Sequence, residues 1–163
     1  MGAAAARHSQ YWSLAGMLVV TLLVGAVGSY VTAPAIPTWY AGLVRPSIAP
    51  PNWVFGPVWT TLFLMMAVAA WLVWRLPPSS KRRTALVLFA LQLGLNMAWS
   101  LLFFGLGRIE LALIEVVVLL TAIVATAVAY AGLSRPAALL MLPYIAWVSF
   151  AAVLNFEFWR LNG

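Results

Sequence analysis

Five stretches of this chain are each long and apolar enough to cross a bilayer, and nothing else in the sequence restricts the fold as strongly. A hydrocarbon core of about 30 Å takes roughly 20 mostly apolar residues as a helix. Runs of that kind cover residues 12–32, 53–75, 84–105, 109–131 and 136–160. In hydrocarbon every backbone N–H and C=O must be satisfied within the protein, which leaves helices or closed barrels, and barrel strands need only about 9–11 residues. The expected fold is therefore an all-α membrane protein, a bundle of five transmembrane helices forming a single domain over residues 1–163. Of the 163 residues 65% are hydrophobic and 7% charged, whereas a water-soluble domain needs roughly 25% charged residues to face solvent.

The first run opens at Tyr11-Trp12 and reaches Tyr30, an aromatic at each end. It is long enough to span and carries interfacial anchors, so it is read as a retained helix and not as a cleaved signal sequence. Between the first two runs, the loop 33–52 holds Pro34, Pro37, Pro46, Pro50 and Pro51, and prolines at that density remove backbone donors and break any continuous helix. The other joins, around 76–83, 105–108 and 132–135, are short, which implies antiparallel neighbours.

An odd number of spans puts the N-terminus, the 76–83 join and the 132–135 join on one side. Arg7, Arg75, Lys81, Arg82, Arg83 and Arg135 lie there, against Arg45, Arg108 and Arg160 on the other. The excess orients the N-terminus inward, with a bacterial cell membrane as the expected setting. The net charge of +6 is spread between apolar runs, so its partners are lipid head groups of the bilayer and not nucleic acid.

The chain has no cysteine, no aspartate, one histidine (His8) and three glutamates (Glu110, Glu115, Glu157). That inventory assembles neither a Ser-His-Asp triad nor a metal site built on His or Cys, so no metal and no obligatory cofactor are expected. The polar and aromatic residues inside the spans remain. Phe55, Trp59, Phe63 and Met66 fall on one stripe of the second span, with Trp53 at its start suited to interfacial anchoring and Trp59 deep enough to suit a cavity. In the third span Gln92, Asn96 and Trp99 share a face, which fits either hydrogen bonding between helices or ligand contact. Ala90, Gly94 and Ala98 form a separate small-residue stripe, a candidate homodimer interface. Glu115 is an acid in a hydrocarbon setting; it should face the interior, protonated or hydrogen-bonded, as a functional group or as a structural partner. In the fifth span Trp147, Ala151 and Leu154 share a face, which suits a flat ring beside a space or ordinary packing equally well.

These residues sit within a known pattern. Trp39-Tyr40, Arg45-Pro46-Ser47, Pro50-Pro51, Trp53-Val54, Gly56-Pro57-Val58-Trp59, Leu95-Asn96 with Trp99, Phe103-Phe104-Gly105, Pro143-Tyr144, Ala146-Trp147 and Leu154-Asn155 with Trp159-Arg160 resemble the TspO/translocator family of tryptophan-rich sensory proteins and peripheral-type benzodiazepine receptors. The resemblance runs from about residue 14 to residue 162. It implies a five-helix bundle, often a homodimer, with a pocket beneath the loop between the first two spans. The implied ligands are porphyrins such as protoporphyrin IX, heme-related tetrapyrroles, cholesterol in animal members and synthetic benzodiazepine-type compounds. It implies ligand-binding roles for Trp59, Asn96, Trp99, Phe104, Glu115, Trp147, Ala151 and Leu154, the acidic position being Asp in many members. Trp59 and Trp147 match the pair implicated in light- and oxygen-dependent porphyrin breakdown in some bacterial members, and are the only catalytic candidates.

Two departures weaken particular carry-overs. Ile48-Ala49 follow the Pro-Ser where many relatives have an aromatic and a polar residue. The sterol-motif region Val153, Leu154, Phe156 and Arg160 has Phe where that motif wants Tyr. The expected function is a membrane-embedded porphyrin or tetrapyrrole binding protein acting as sensor, regulator or transporter. The alternatives are a photo-oxidative porphyrin-degrading enzyme and a sterol or small-solute transporter.

Overall fold

The computed structural model describes residues 2–163; Met1 and the side chains of residues 2–9, including Arg7 and His8, lie outside the described residues. Among the described residues there are five long helices: α1 (Gly2–Ala35), α2 (Phe55–Trp74), α3 (Ser80–Ser100), α4 (Ile109–Ala131) and α5 (Arg135–Asn162). All five are long and apolar enough to cross a membrane, over Gln10–Ala35, Asn52–Trp74, Ser80–Gly105, Ile109–Ala131 and Arg135–Asn162. The protein is thus an integral, multi-pass, all-α membrane protein, and its helices fall where the apolar runs place them.

The helix ends follow local chemistry. Ser79 caps α3 by accepting a 3.1 Å hydrogen bond from the Arg82 backbone N–H, and Ser134 caps α5 by accepting one of 3.4 Å from Ala137. These caps satisfy donors that the first helical turn leaves free. The proline-rich segment interrupts the helix later than its first proline: α1 continues through Pro34 to Ala35. The Thr38 hydroxyl then donates 2.8 Å to the Pro34 carbonyl, satisfying an acceptor at the helix end. Short 3₁₀ turns at Tyr40–Gly42 and Asn52–Val54 carry the chain across to α2.

Alternation of direction is visible in two contacts at opposite ends. The Trp71 indole donates 3.0 Å to the Gln10 carbonyl, joining the start of α1 to the end of α2. At the other end, the Asn162 side chain closes a two-point clasp on Val44, accepting from its N–H at 2.7 Å and donating to its carbonyl at 3.0 Å. The loop between α1 and α2 is therefore fixed to the last turn of α5. Arg75 lies 5.0 Å over the Trp71 ring and Arg82 lies 5.2 Å over Trp74, pairing cations with indoles at that boundary of the apolar zone.

The main core lies between α2, α3, α4 and α5, with Met66, Val73, Ile123, Tyr130, Met141 and Tyr144 wholly enclosed. A smaller cluster of Tyr40, Phe103, Ile109, Ala112, Leu154 and Phe158 sits beneath the loop. In contrast, α1 turns Val19, Val20, Leu23, Val27 and Tyr30 outward. It approaches α2 closely at Gly25, where a Cβ would stand 2.7 Å from the Phe63 ring. Only a glycine admits the ring at that distance.

At the end of α3 the chain winds through one π turn, Leu101–Gly105, closed by the Leu106 N–H on the Leu101 carbonyl at 2.9 Å. The wider turn spaces consecutive side chains by a smaller angle than an α-helix does, so Phe103 and Phe104 both point into the bundle. The following Gly107 has φ +63 with the Trp39 indole about 3.0 Å from where a Cβ would be, a backbone region and a space that together exclude other residues.

Candidate functional site

Four of the five helices enclose a cavity of about 590 Å³ beneath the α1–α2 loop. Its floor is the Gly25–Phe63 contact and its roof includes Tyr40. Burial pushes the Tyr40 phenol above its ordinary pKa, partly opposed by the nearby Arg45 charge, so the roof presents a neutral hydroxyl. No ionised side chain lines the cavity among the described residues.

The aromatic stripe of α2 supplies one wall. Phe55, Trp59 and Phe63 line the space, while Met66 continues the stripe into the enclosed core. Trp59 is half-buried, 5.7 Å between centroids from Phe63 and 6.1 Å from Tyr144 in an edge-to-face arrangement. Trp147 from α5 faces the same space, its ring 5.8 Å from Phe55 and 5.6 Å from Phe150. Trp53 stands at the mouth, 75% exposed, as an interfacial anchor would.

The wall formed by α3 and α5 is fastened by hydrogen bonds. The Asn96 amide donates 3.0 Å to the Tyr144 hydroxyl, and the Trp99 indole donates 3.1 Å to the Asn155 carbonyl oxygen. Asn155 in turn donates 3.0 Å to the Ile109 backbone carbonyl. On the polar face of α3, Asn96 and Trp99 bond across helices, one of the two readings open for that face, and both also line the cavity. Gln92, one turn deeper, does not reach the cavity, and its amide contacts the Met66 sulfur at 3.8 Å. Trp99 and Phe103 stack at 5.3 Å, with Phe104 edge-on to both.

Of the eight residues expected to bind ligand, Trp59, Asn96, Trp99, Phe104, Trp147, Ala151 and Leu154 line this one cavity. Glu115 does not, and that expectation is corrected. It lies on α4, which packs on α3 and α5 and none of whose residues lines the cavity. Both carboxyl oxygens of Glu115 are buried with no hydrogen-bond partner in the structure. It faces the interior as expected, but behind the wall and not hydrogen-bonded.

The sterol-motif region divides. Leu154 points inward, whereas Val153 and Phe156 are exposed, and Arg160 on the outer surface pairs with Glu157 at 2.6 Å. Ala90 and Gly94 are exposed and Ala98 partly so, with no atom within 4 Å of where a Gly94 Cβ would stand.

Several lining residues have no counterpart among the sequence candidates. From α1 come Gly25, Gly28, Ser29 and Thr32, and from elsewhere Tyr40, Ser100, Phe103 and Asn155. Asn155 carried a signal, a lone amide within an apolar run. The α1 residues carried none, because small residues scattered along an apolar helix show no periodic polar face.

Comparison with known proteins places these features. The model of the TspO/MBR family matches residues 17–160. The tryptophan-rich protein TspO of Chlorobaculum tepidum is 42% identical over 159 residues, 95% of this chain and 99% of that protein. The tryptophan-rich protein TspO of Archaeoglobus fulgidus is 39% identical, covering 91% of this chain and 96% of that protein. The human translocator protein is 43% identical over 126 residues, 76% of this chain and 75% of its own length.

Proposed function

The chain belongs to the TspO/MBR family, and on that footing we propose that it is a membrane-embedded binding protein for porphyrins and related flat tetrapyrroles, acting as sensor, regulator or carrier. The observation that carries the reading is the joint exposure of the Trp59 and Trp147 indoles to one cavity of about 590 Å³. That volume is within the 300–1,000 Å³ range of small-molecule sites. Indole faces suit the π surface of a macrocycle, and the small Ala151 on the Trp147 side leaves room for a ring edge.

The cavity's chemistry favours binding over acid–base catalysis. Its lining contains hydroxyls, three amides and aromatic rings but no carboxylate, imidazole or amine among the described residues. A second reading, oxidative breakdown of a bound porphyrin using light and dioxygen, draws on the same pair of indoles as the oxidisable groups nearest the ligand. Two further elements belong to the proposal. The excess of Arg and Lys near the 76–83 and 132–135 joins orients the N-terminus inward, and the smooth exposed stripe Ala90, Gly94, Ala98 pairs two copies.

The test is titration of the protein in lipid vesicles with protoporphyrin IX, read by quenching of tryptophan emission. Saturable quenching is expected, weakened in Trp147→Phe. An unsaturable, linear response in the native protein would reject the binding role. Porphyrin absorbance that bleaches under light and oxygen faster with protein than without, and no faster with Trp59→Phe, would establish the second reading.

A further inference from the structure

We infer that the ligand enters this cavity sideways from the bilayer, through a slot between α1 and α2, and that the ligand class is therefore an apolar or amphipathic planar molecule already dissolved in the membrane. The inference rests on the binding role proposed above and adds the route.

Three observations carry it. The first is that the cavity wall along α1 and α2 includes residues with little cover, Ser29 and Ala33 on α1 and Gly56 and Thr60 on α2, all exposed, whereas Phe63, Asn96 and Phe103 line the same cavity and are buried. Lining residues with so little cover mark an opening. Ser29 lies six residues inside the end of α1 and Thr60 eight residues inside the start at Asn52, about 9 and 12 Å at 1.5 Å per residue. The opening is therefore at hydrocarbon depth.

The second is that the slot offers an apolar ligand little resistance. Its edges are small side chains, and the Thr60 hydroxyl is already spent on the Gly56 carbonyl at 2.9 Å, leaving its methyl to face a passing ring. Below the slot the Gly25–Phe63 contact holds the two helices together, so the gap is bounded and α1 need not detach.

The third is that the loop is fastened down over the aqueous side. Val44 is clasped at two points by Asn162, the Arg45 guanidinium donates to the Pro50 carbonyl, and Tyr40 is packed on Phe104 and Phe158 at 5.7 and 5.3 Å. Opening that roof means breaking all of these together. A ligand with carboxylates meets no cation inside, so its charged edge stays at the mouth, level with Asn52 and Trp53, while the apolar edge goes in.

The experiment compares three proteins in vesicles preloaded with protoporphyrin IX: the native chain, Ala33→Leu/Thr60→Leu, which fills the slot, and Asn162→Ala, which removes the clasp on Val44 and loosens the roof. Stopped-flow quenching should show association and dissociation both slowed about tenfold in the slot variant, since a barrier on the path slows both directions whereas a lost contact speeds release. Asn162→Ala should associate within about twofold of native. A slot variant with native rates, or faster association in Asn162→Ala, overturns the route.

A ligand-free arm uses vesicles of lipid brominated on its acyl chains. The emission lost on Trp59→Phe isolates Trp59, and bromine should quench that part in the native chain and clearly less in the slot variant. Equal quenching in both overturns the slot. If protoporphyrin IX fails to bind the native chain, the binding role falls, while the bromine arm still decides whether the cavity opens to lipid.

Discussion

The Asn96 amide and the Tyr144 hydroxyl meet across α3 and α5 at 3.0 Å, both within the buried interior. Removing one partner strands the other. In Tyr144→Phe the Asn96 amide loses its acceptor, a loss that measured interhelical bonds in membranes put at about 0.5–1.5 kcal/mol. Asn155→Leu removes two bonds at once, from the Trp99 indole and to the Ile109 carbonyl, and should cost more. Thermal unfolding in detergent should rank the proteins native, Tyr144→Phe, Asn155→Leu in descending midpoint.

Gly25 and Phe63 form a second obligate pair. A Cβ at residue 25 would come within 2.7 Å of the ring, so Gly25→Ala should destabilise by about 1–3 kcal/mol, the usual range for overpacking. Phe63→Leu alone should also destabilise, through the cavity it leaves. The double variant should lose clearly less than the sum of the two losses, and a double-mutant cycle on unfolding midpoints in detergent would detect the coupling. Strict additivity would mean that α1 and α2 are not in contact there.

Ligand affinity should separate the cavity from the residue behind it. Ala151→Thr places extra bulk and a hydroxyl into the lining and should weaken protoporphyrin IX by about tenfold, or 1.4 kcal/mol. Glu115→Gln should leave the dissociation constant within about twofold, because α4 contributes nothing to the cavity. A large loss in Glu115→Gln would show that the carboxyl reaches the ligand after all.

The lining carries no cation to recognise a carboxylate. Esterifying both propionates of protoporphyrin IX should therefore alter affinity in vesicles by less than about threefold once membrane partitioning is corrected. A loss of a hundredfold would require a basic partner that the lining does not contain.

The five spans were legible because each is an unbroken apolar run, and a helix in lipid has no alternative way to satisfy its backbone. Trp59 was legible from its depth on the aromatic stripe of α2, whereas spacing left Trp99 and Trp147 open between a cavity and ordinary helix contacts, and the family resemblance marked them. Glu115 shows the limit of that logic. An acid in an apolar run must turn inward, but whether inward means a cavity or the seam behind it depends on which helices close against each other, and that is set by pair contacts such as Trp99–Asn155. The part played by α1 was hidden for the opposite reason: its lining residues are small, and what they contribute is space.

The seclusion of α4 has a practical consequence for reshaping what this protein recognises. Side chains 109–131 act as a buttress, so a library aimed at new ligand preferences can leave that whole span as it is and draw its diversity from α1, α2, α3 and α5 alone. Variation accumulating along α4 would, by the same token, report on how firmly the scaffold stands and say nothing of what it holds.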